Sequence, residues 1–198
     1  MTENKKIPSK IWLYVFAGCA GIVVAVLCVG ALLISVSRQW FIFIEPDERG
    51  VVLSLNQPTG EVLEPGYHFV SPDKQVIIYK ISHQTYVMSA NPNGEADFIE
   101  SITKDGQKIQ IDISVIYAVD PERLPELFKT WGETYRDNVV RPMSRSVTRN
   151  TLRDFTYDEV IKKHDEIEKN ISNELEKSLS ETFLILVKFE LLDIRLAP

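Results

Sequence analysis

Cysteine is nearly absent from this 198-residue sequence: Cys19 and Cys28 are the only two, and both lie inside one apolar run. The rest of the chain therefore has no disulfide framework, no thiol nucleophile and no thiolate metal ligand. Histidine is scarce too. His68, His83 and His164 stand far apart, and none has a second His or Cys at metal-ligand spacing. There is no Gly-rich phosphate loop and no G-x-S-x-G elbow. No metal, cofactor, small-molecule substrate or enzymatic activity is expected. Positive charge is also sparse beyond the first forty residues. Lys5, Lys6, Lys10 and Arg38 against Glu3 give that segment +3, which leaves −9 for the remainder of a chain whose total is −6. So acidic a body repels a phosphate backbone, and nucleic acid is not an expected partner.

What the sequence does contain begins with IWLYVFAGCAGIVVAVLCVGALLISV, Ile11 to Val36, a run without one charged residue. About 20 helical residues cross the hydrocarbon core of a bilayer, whereas the apolar region of a signal peptide is about 7–15 residues long. We read 11–36 as an uncleaved transmembrane helix, with a cleaved signal as the alternative because Ser35 and Ser37 are small. Residues 1–10 form a short polar tail and 37–44 a membrane-proximal linker or strand. Trp12, Tyr14, Trp40 and Phe41 fall near the two ends, where amphipathic rings favour the headgroup level. The three leading lysines orient the N-terminus toward the cytoplasm, with the following domain on the opposite side of the cell membrane. Ala17, Gly21 and Ala25, four apart, are either ordinary membrane-helix composition or a face for a second helix.

The body alternates in a way that favours strands first and helices afterwards. Arg49–Leu55 and Gln75–Ile81 read as strands, Tyr86–Met88 as a third short one, with NQPTG and EPG as breaks between them. Asp105-Gly106 marks a turn. After it, Ile109, Ile111, Ile113, Val115, Tyr117 and Val119 share one face of an extended chain, while Lys108, Gln110, Asp112 and Ser114 share the other. Asp120-Pro121 caps and opens a helix. A second helix is expected over Glu133–Asp154, kinked or split at Pro142. Thr156 with Glu159 forms a capping-box pattern whose helix places Val160, Ile167, Ile171, Leu175 and Leu179 on one stripe. Phe183 to Leu196 returns as a strand. The order implies an α+β domain over 45–198 with a mainly antiparallel sheet and packed helices.

Four acids in the stretch Ser101–Leu124 invite a catalytic reading, and local structure accounts for each. Asp105 belongs to the turn, Asp120 to the helix cap, Asp112 to the polar strand face, and Glu122 to a first helical turn where an acid complements the dipole. Two other features stand out. Arg141, Arg145, Arg149 and Arg153 recur every four residues, a stripe suited either to an acidic neighbouring subunit or to local partners such as Asp137 and Asp154. In EPGYHFVSP, the residues Tyr67, His68, Phe69 and Val70 form an apolar loop that either skims the membrane interface or plugs the core.

The blocks ERGVVLSL, GEVLEPGYHFVSP, TKDGQKIQIDISVIYAVDPERL, TYRDNVVRPMSRSVTRNTLRDFTYDEV and FLILVKFELLDIRLAP, in that order, resemble the SPFH or band 7 family of stomatins, prohibitins, flotillins and the HflK/HflC proteins. The single N-terminal helix is closest in layout to prohibitins and HflK/HflC. The resemblance implies a membrane-anchored, non-enzymatic scaffold that oligomerises, with itself or a paralogue, into rings or cages around a membrane patch. It also implies regulation of membrane proteins or of an AAA+ membrane protease of the FtsH type, and contact with lipids through Tyr67–Val70. A tethered domain that binds one partner without forming rings is the alternative. The sequence departs from the pattern in two turns, where family members often carry glycine: at Asn56 and near Thr182-Phe183. Family members also continue past the closing strand into a coiled-coil helix. Ala197-Pro198 stands where that helix would begin, so a truncated stretch or a short form with a different oligomeric reach is expected.

Overall fold

The computed structural model describes residues 26–31, 40–90 and 96–197. Residues 26–31, a piece of the apolar run, are helical, with Val26, Leu27 and Val29 exposed. The remainder of the expected span over 11–36 lies outside the described residues, as does the tail before it. Among the described residues no helix is long and apolar enough to cross a membrane.

The chain falls into two units, one comprising the N-terminal part to Ile42 with Tyr67–Pro72, the other comprising Phe43–Gly66 with Asp73 onward. The first holds most of a two-stranded sheet, β1 (Phe41–Ile44) with β4 (Gly66–Phe69). The expected loop at Tyr67–Val70 is thus largely strand. Gly66 makes the turn into it at φ 130°, a conformation closed to most side chains.

In the second unit, β2 (Glu48–Ser54) is flanked by β3 (Gln57–Leu63) and β5 (Lys74–Lys80) in an antiparallel sheet ordered β3-β2-β5. Val51, Val52 and Leu53 are buried in succession, so the central strand is covered on both faces. The composition of NQPTG predicts a break. It is instead a two-residue hairpin, with Ser54 opposite Gln57, followed at once by β3. Pro58 and Gly60 are tolerated because β3 lies at the sheet edge. The turn residues Leu55 and Asn56 have φ 50° and 62°, the left-handed pair that a primed turn requires. Asn accepts that conformation; Leu does so at a cost of about 1–2 kcal/mol, and here its side chain is 92% exposed with nothing to offset it. The change Leu55→Asn with Asn56→Gly is expected to raise unfolding stability by about 1 kcal/mol. Urea unfolding at matched m-value measures it.

The larger sheet centres on β8 (Lys108–Val119). The strands β6 (Gln84–Met88) and β7 (Ile99–Ile102) pair in turn along one side of it, and β9 (Leu184–Leu196) runs along the whole of the other, all antiparallel. The alternation expected for β8 holds: its six apolar residues from Ile109 to Val119 on one face are all fully buried. The opposite face is less open than the pattern implies, since Ser114 and Ala118 are buried too. The β7–β8 turn is closed as expected at Asp105-Gly106, with Gly106 at φ 81°. Its amide donates to the Thr103 carbonyl at 2.9 Å.

Asp120 caps as its sequence predicts, accepting from the Glu122 amide at 3.0 Å. A 3-10 turn, Pro121–Arg123, leads into α1 (Leu124–Trp131). The helix expected over 133–154 is broken into a 3-10 turn Gly132–Thr134, a π turn Arg136–Val140 and α2 (Arg141–Leu152). The cause is Pro142, which has no amide to donate and whose ring collides with the preceding turn. The Arg141 amide instead reaches back five residues to the Arg136 carbonyl. The capping box at Thr156 and Glu159 is present and opens α3 (Tyr157–Lys162). Contrary to the single helix expected, the backbone leaves the helical region at Lys163 (φ −110°, ψ 29°) before α4 (His164–Ser180). The predicted stripe survives this break: Val160, Ile167, Ile171, Leu175 and Leu179 are all completely buried. Helix α4 lies against β9 and α2, which places the main core between the sheet and the helices.

Phe183, in the turn before β9, adopts φ 68°, an unusual conformation for so large a residue. It is held there by its carbonyl, which accepts from the Asp120 amide at 3.2 Å, and by the Arg123 guanidinium 4.3 Å above its ring. The turns at Asn56 and at Phe183, where the resemblance leads one to expect glycine, therefore both carry a left-handed backbone with a side chain attached.

Candidate functional site

The first unit presents an aromatic surface. The Val70 amide donates to the Trp40 carbonyl at 2.8 Å, fixing the strand pair. The Phe69 ring sits edge-on to Trp40 and Phe41, with centroids 5.9 Å and 5.6 Å away. Tyr67 is 81% exposed, Phe41 and Phe69 60% each. Three large rings left in solvent on a short, backbone-bonded ribbon form an apolar patch rather than a core plug. His68 and Val70 are half-buried beside them.

In the second unit the arginine stripe divides. Arg141 and Arg145 converge on Asp97, which precedes β7. The Arg141 Nε lies 3.2 Å and 3.3 Å from the two carboxylate oxygens, and the Arg145 Nη2 pairs with the same carboxylate. Arg145 also donates to the backbone carbonyls of Asp97 at 2.9 Å and Phe98 at 3.1 Å. The Tyr86 hydroxyl donates to Asp97 at 2.8 Å. Burial opposes ionisation of Asp97 more than any other single influence. The hydrogen bonds from Arg141, Tyr86 and Arg145, with the Arg145 charge, together outweigh it and hold the carboxyl at about 2. So weak a base, with its lone pairs taken, is suited to clamping and not to proton transfer. Arg149 donates from Nε to the Glu100 carbonyl at 2.8 Å. Arg153, exposed, lines with Arg149 and Lys108 a cavity of about 460 Å³ at the end of β7 and β8.

A second charged clamp crosses the outer sheet face. Arg195 on β9 bonds Asp112 on β8 through both nitrogens, each at 3.0 Å, and Asp112 also accepts from the Ala90 amide at 3.3 Å. Asp105 is committed to Thr103 and to the Tyr157 amide, and the hydrogen bond from Thr103 is the main cause of its lowered pKa. The sequence readings of Asp105 and Asp120 as local structure therefore hold, and Asp112 does more than decorate a face. Sequence reasoning missed Asp97. It sits in a polar break 44 to 48 residues before its arginine partners, and the four-residue spacing of those arginines was the one available signal.

Buried tyrosines surround Gln84. Its side chain accepts from the Tyr117 hydroxyl at 3.4 Å and bonds Tyr135 at 3.1 Å. Burial pushes the phenols of Tyr79 and Tyr117 well above their ordinary values, so both stay protonated, and the Tyr79 hydroxyl is buried without a hydrogen-bond partner among the described residues. Among the described residues no group of His, Cys, Asp and Glu is placed to hold a metal ion. His164 is half-buried at the start of α4.

An antiparallel α+β domain of this strand order, closed by a long β9 and carrying the five sequence blocks, is matched over residues 42–198 by the SPFH domain / Band 7 family, and the chain belongs to that family. Proteins of this family are membrane-associated and generally serve as scaffolds. Within it the chain is related to the prohibitins. It is 27% identical over 134 residues to prohibitin-4, mitochondrial, of Arabidopsis thaliana, an alignment covering 67% of this chain and 42% of that protein. The chain thus spans less than half the length of this relative.

Proposed function

We propose that this protein is a membrane-anchored scaffold that assembles, with itself or a paralogue, into a ring or cage that organises a membrane patch and regulates membrane proteins held within it, an AAA+ membrane protease among them. Residues 11–36 are its single-pass anchor, 1–10 its cytoplasmic tail, 37–44 its membrane-proximal link and 45–198 its SPFH domain on the opposite side. The observation that carries the reading is the exposed aromatic ribbon of Tyr67, Phe69, Trp40 and Phe41, a surface suited to the headgroup level of a bilayer. His68 and Val70 complete that contact. Of the arginine stripe, Arg141 and Arg145 are occupied by Asp97, and the basic end formed by Arg149 and Arg153 is the part offered to a neighbouring subunit.

Two measurements test this. Native mass spectrometry of the detergent-solubilised full chain is expected to show a closed oligomer; a monodisperse monomer overturns the scaffold reading. For the membrane contact, a spin label at Tyr67→Cys in a background lacking Cys19 and Cys28 is placed in the reconstituted protein. It is expected to relax faster with oxygen than with a water-soluble nickel complex. The reverse order removes Tyr67–Val70 from the bilayer.

A further inference from the structure

Helix α4 separates two surfaces of complementary character. Near its C-terminal end, it borders a groove of about 480 Å³ shared with α2. The lining from α2 includes Pro142, Met143, Ser146, Val147 and Asn150, spacings that place one side of the helix along the groove for two turns. Met143 is a pliable apolar group suited to receiving a side chain. Trp131 closes one end, its Nε1 buried without an acceptor among the described residues. From α4 the groove receives Ser178 and Glu174, and no salt bridge among the described residues involves the Glu174 carboxylate. The site is a groove with an apolar floor of Trp131, Met143 and Val147, polar walls that include Asn138, Ser146 and Asn150, and one negative charge without an ion-pair partner among the described residues.

At the other end of α4 lies the short helix α3. Its buried side is Val160. Its outer side carries Ile161, 51% exposed, with Lys162 beside it at 76% side-chain exposure. Among the described residues Lys162 is held only by a loose pair with Asp158 at 3.9 Å, in solvent, which contributes at most a few tenths of a kcal/mol. An exposed branched apolar residue flanked by a cation is the counterpart of the groove in shape and in charge. Glu174 lies ten residues into α4, so the groove begins about 15 Å from α3 along one rigid element. A knob and its socket at opposite ends of one rod cannot meet within a chain. Between copies they form a head-to-tail contact, the kind of interface that closes into a ring when the rotation permits.

We propose that α3 of one copy docks in the α2/α4 groove of the next, with Ile161 against Met143 and Val147 and with Lys162 paired to Glu174. The occupant is a second copy of this chain. The inference rests on the scaffold reading and gives that assembly a specific contact and polarity. It is independent of the arginine stripe, which lies on another side of α2.

The test uses the full chain in membranes, with Cys19 and Cys28 replaced by serine, and a short bismaleimide. Ile161→Cys combined with Ser178→Cys, the latter on the groove wall, is expected to give a ladder of crosslinked multimers, while either cysteine alone gives monomer. Dimers from Ile161→Cys alone would mean a two-fold contact and overturn the proposal. As a second arm, Lys162→Glu and Glu174→Lys are each expected to lower the assembled fraction at least tenfold, and the double exchange to restore it, with circular dichroism unchanged throughout. Assembly that persists in both single variants overturns the contact but leaves the scaffold reading standing. Absence of any oligomer in the parent protein, measured in the same membranes with a lysine-reactive crosslinker, overturns both.

Discussion

Replacing Ile171 by alanine is expected to lower unfolding stability by about 3–4 kcal/mol and the melting temperature by roughly 10 °C. Ile171 is completely buried at the centre of the α4 stripe, with Ile167 before it and Leu175 and Leu179 after it, all equally buried. Removing three carbons there forfeits their transfer free energy and leaves a cavity. The sheet on one side is pinned by the full-length pairing of β8 with β9, and α2 bounds the other, so the site has little freedom to collapse. The same substitution at Ile161, one turn before α4 and half exposed, is expected to change stability by less than about 0.5 kcal/mol. Thermal unfolding of the two variants side by side, followed by circular dichroism, makes the comparison. A loss below about 1 kcal/mol at Ile171 would mean that the helix layer is not packed on the sheet as described.

The legible parts of this fold are those governed by periodicity and by local hydrogen bonding. The alternation from Ile109 to Val119, the helical stripe from Val160 to Leu179 and the Thr156–Glu159 capping box each depend on residues within a few positions of one another, and each is found where the sequence puts it. The strands β3 and β4 were hidden because Pro58, Gly60 and Gly66 are ordinarily punctuation. They are tolerated only because an edge strand has one unpaired side and because turns at Leu55-Asn56 and Gly66 reverse the chain so abruptly. Likewise the split of the helix before Arg141 was foreseeable from Pro142, but its resolution as a π turn was not. The partners of the arginines were the least legible of all. A four-residue repeat states that the side chains share a flank of a helix and says nothing about which distant carboxylate the tertiary fold brings beneath it. The aromatic ribbon was visible as composition, whereas its exposure depended on pairing between segments 25 residues apart.

Asp97→Asn is expected to cost about 2 kcal/mol at neutral pH, and the cost should vanish in acid. The substitution keeps the shape of the side chain but removes the charge on which Arg141 and Arg145 converge. Arg145 is only 17% exposed and has no other carboxylate partner among the described residues, so its guanidinium would be left partly desolvated and unmatched. The pH dependence follows from linkage. An unfolded aspartate titrates near 3.9, roughly, while the folded carboxyl is held at about 2. A depressed folded pKa stabilises the fold above the unfolded value, and that contribution is lost as pH falls from about 4 through 2. Allowing for solvent around the exposed Arg141, the shift corresponds to about 1–2 kcal/mol, consistent with the mutational estimate. Urea unfolding of wild type and Asp97→Asn is therefore expected to show a gap that is constant from pH 7 to about pH 5 and closes toward pH 2. Other carboxylates titrate in the same window, but they are common to both proteins and cancel in the difference. A gap that stays constant down to pH 2 would assign the loss to packing and not to charge. The clamp also decides how the arginine stripe is presented. Without Asp97, Arg141 and Arg145 would be released beside Arg149, and the surface proposed to meet a neighbouring subunit would become more basic. Assembly of Asp97→Asn, measured at low and high salt, is thus expected to be more salt-sensitive than that of the parent protein. Identical salt profiles would show that the stripe plays no part in subunit contact.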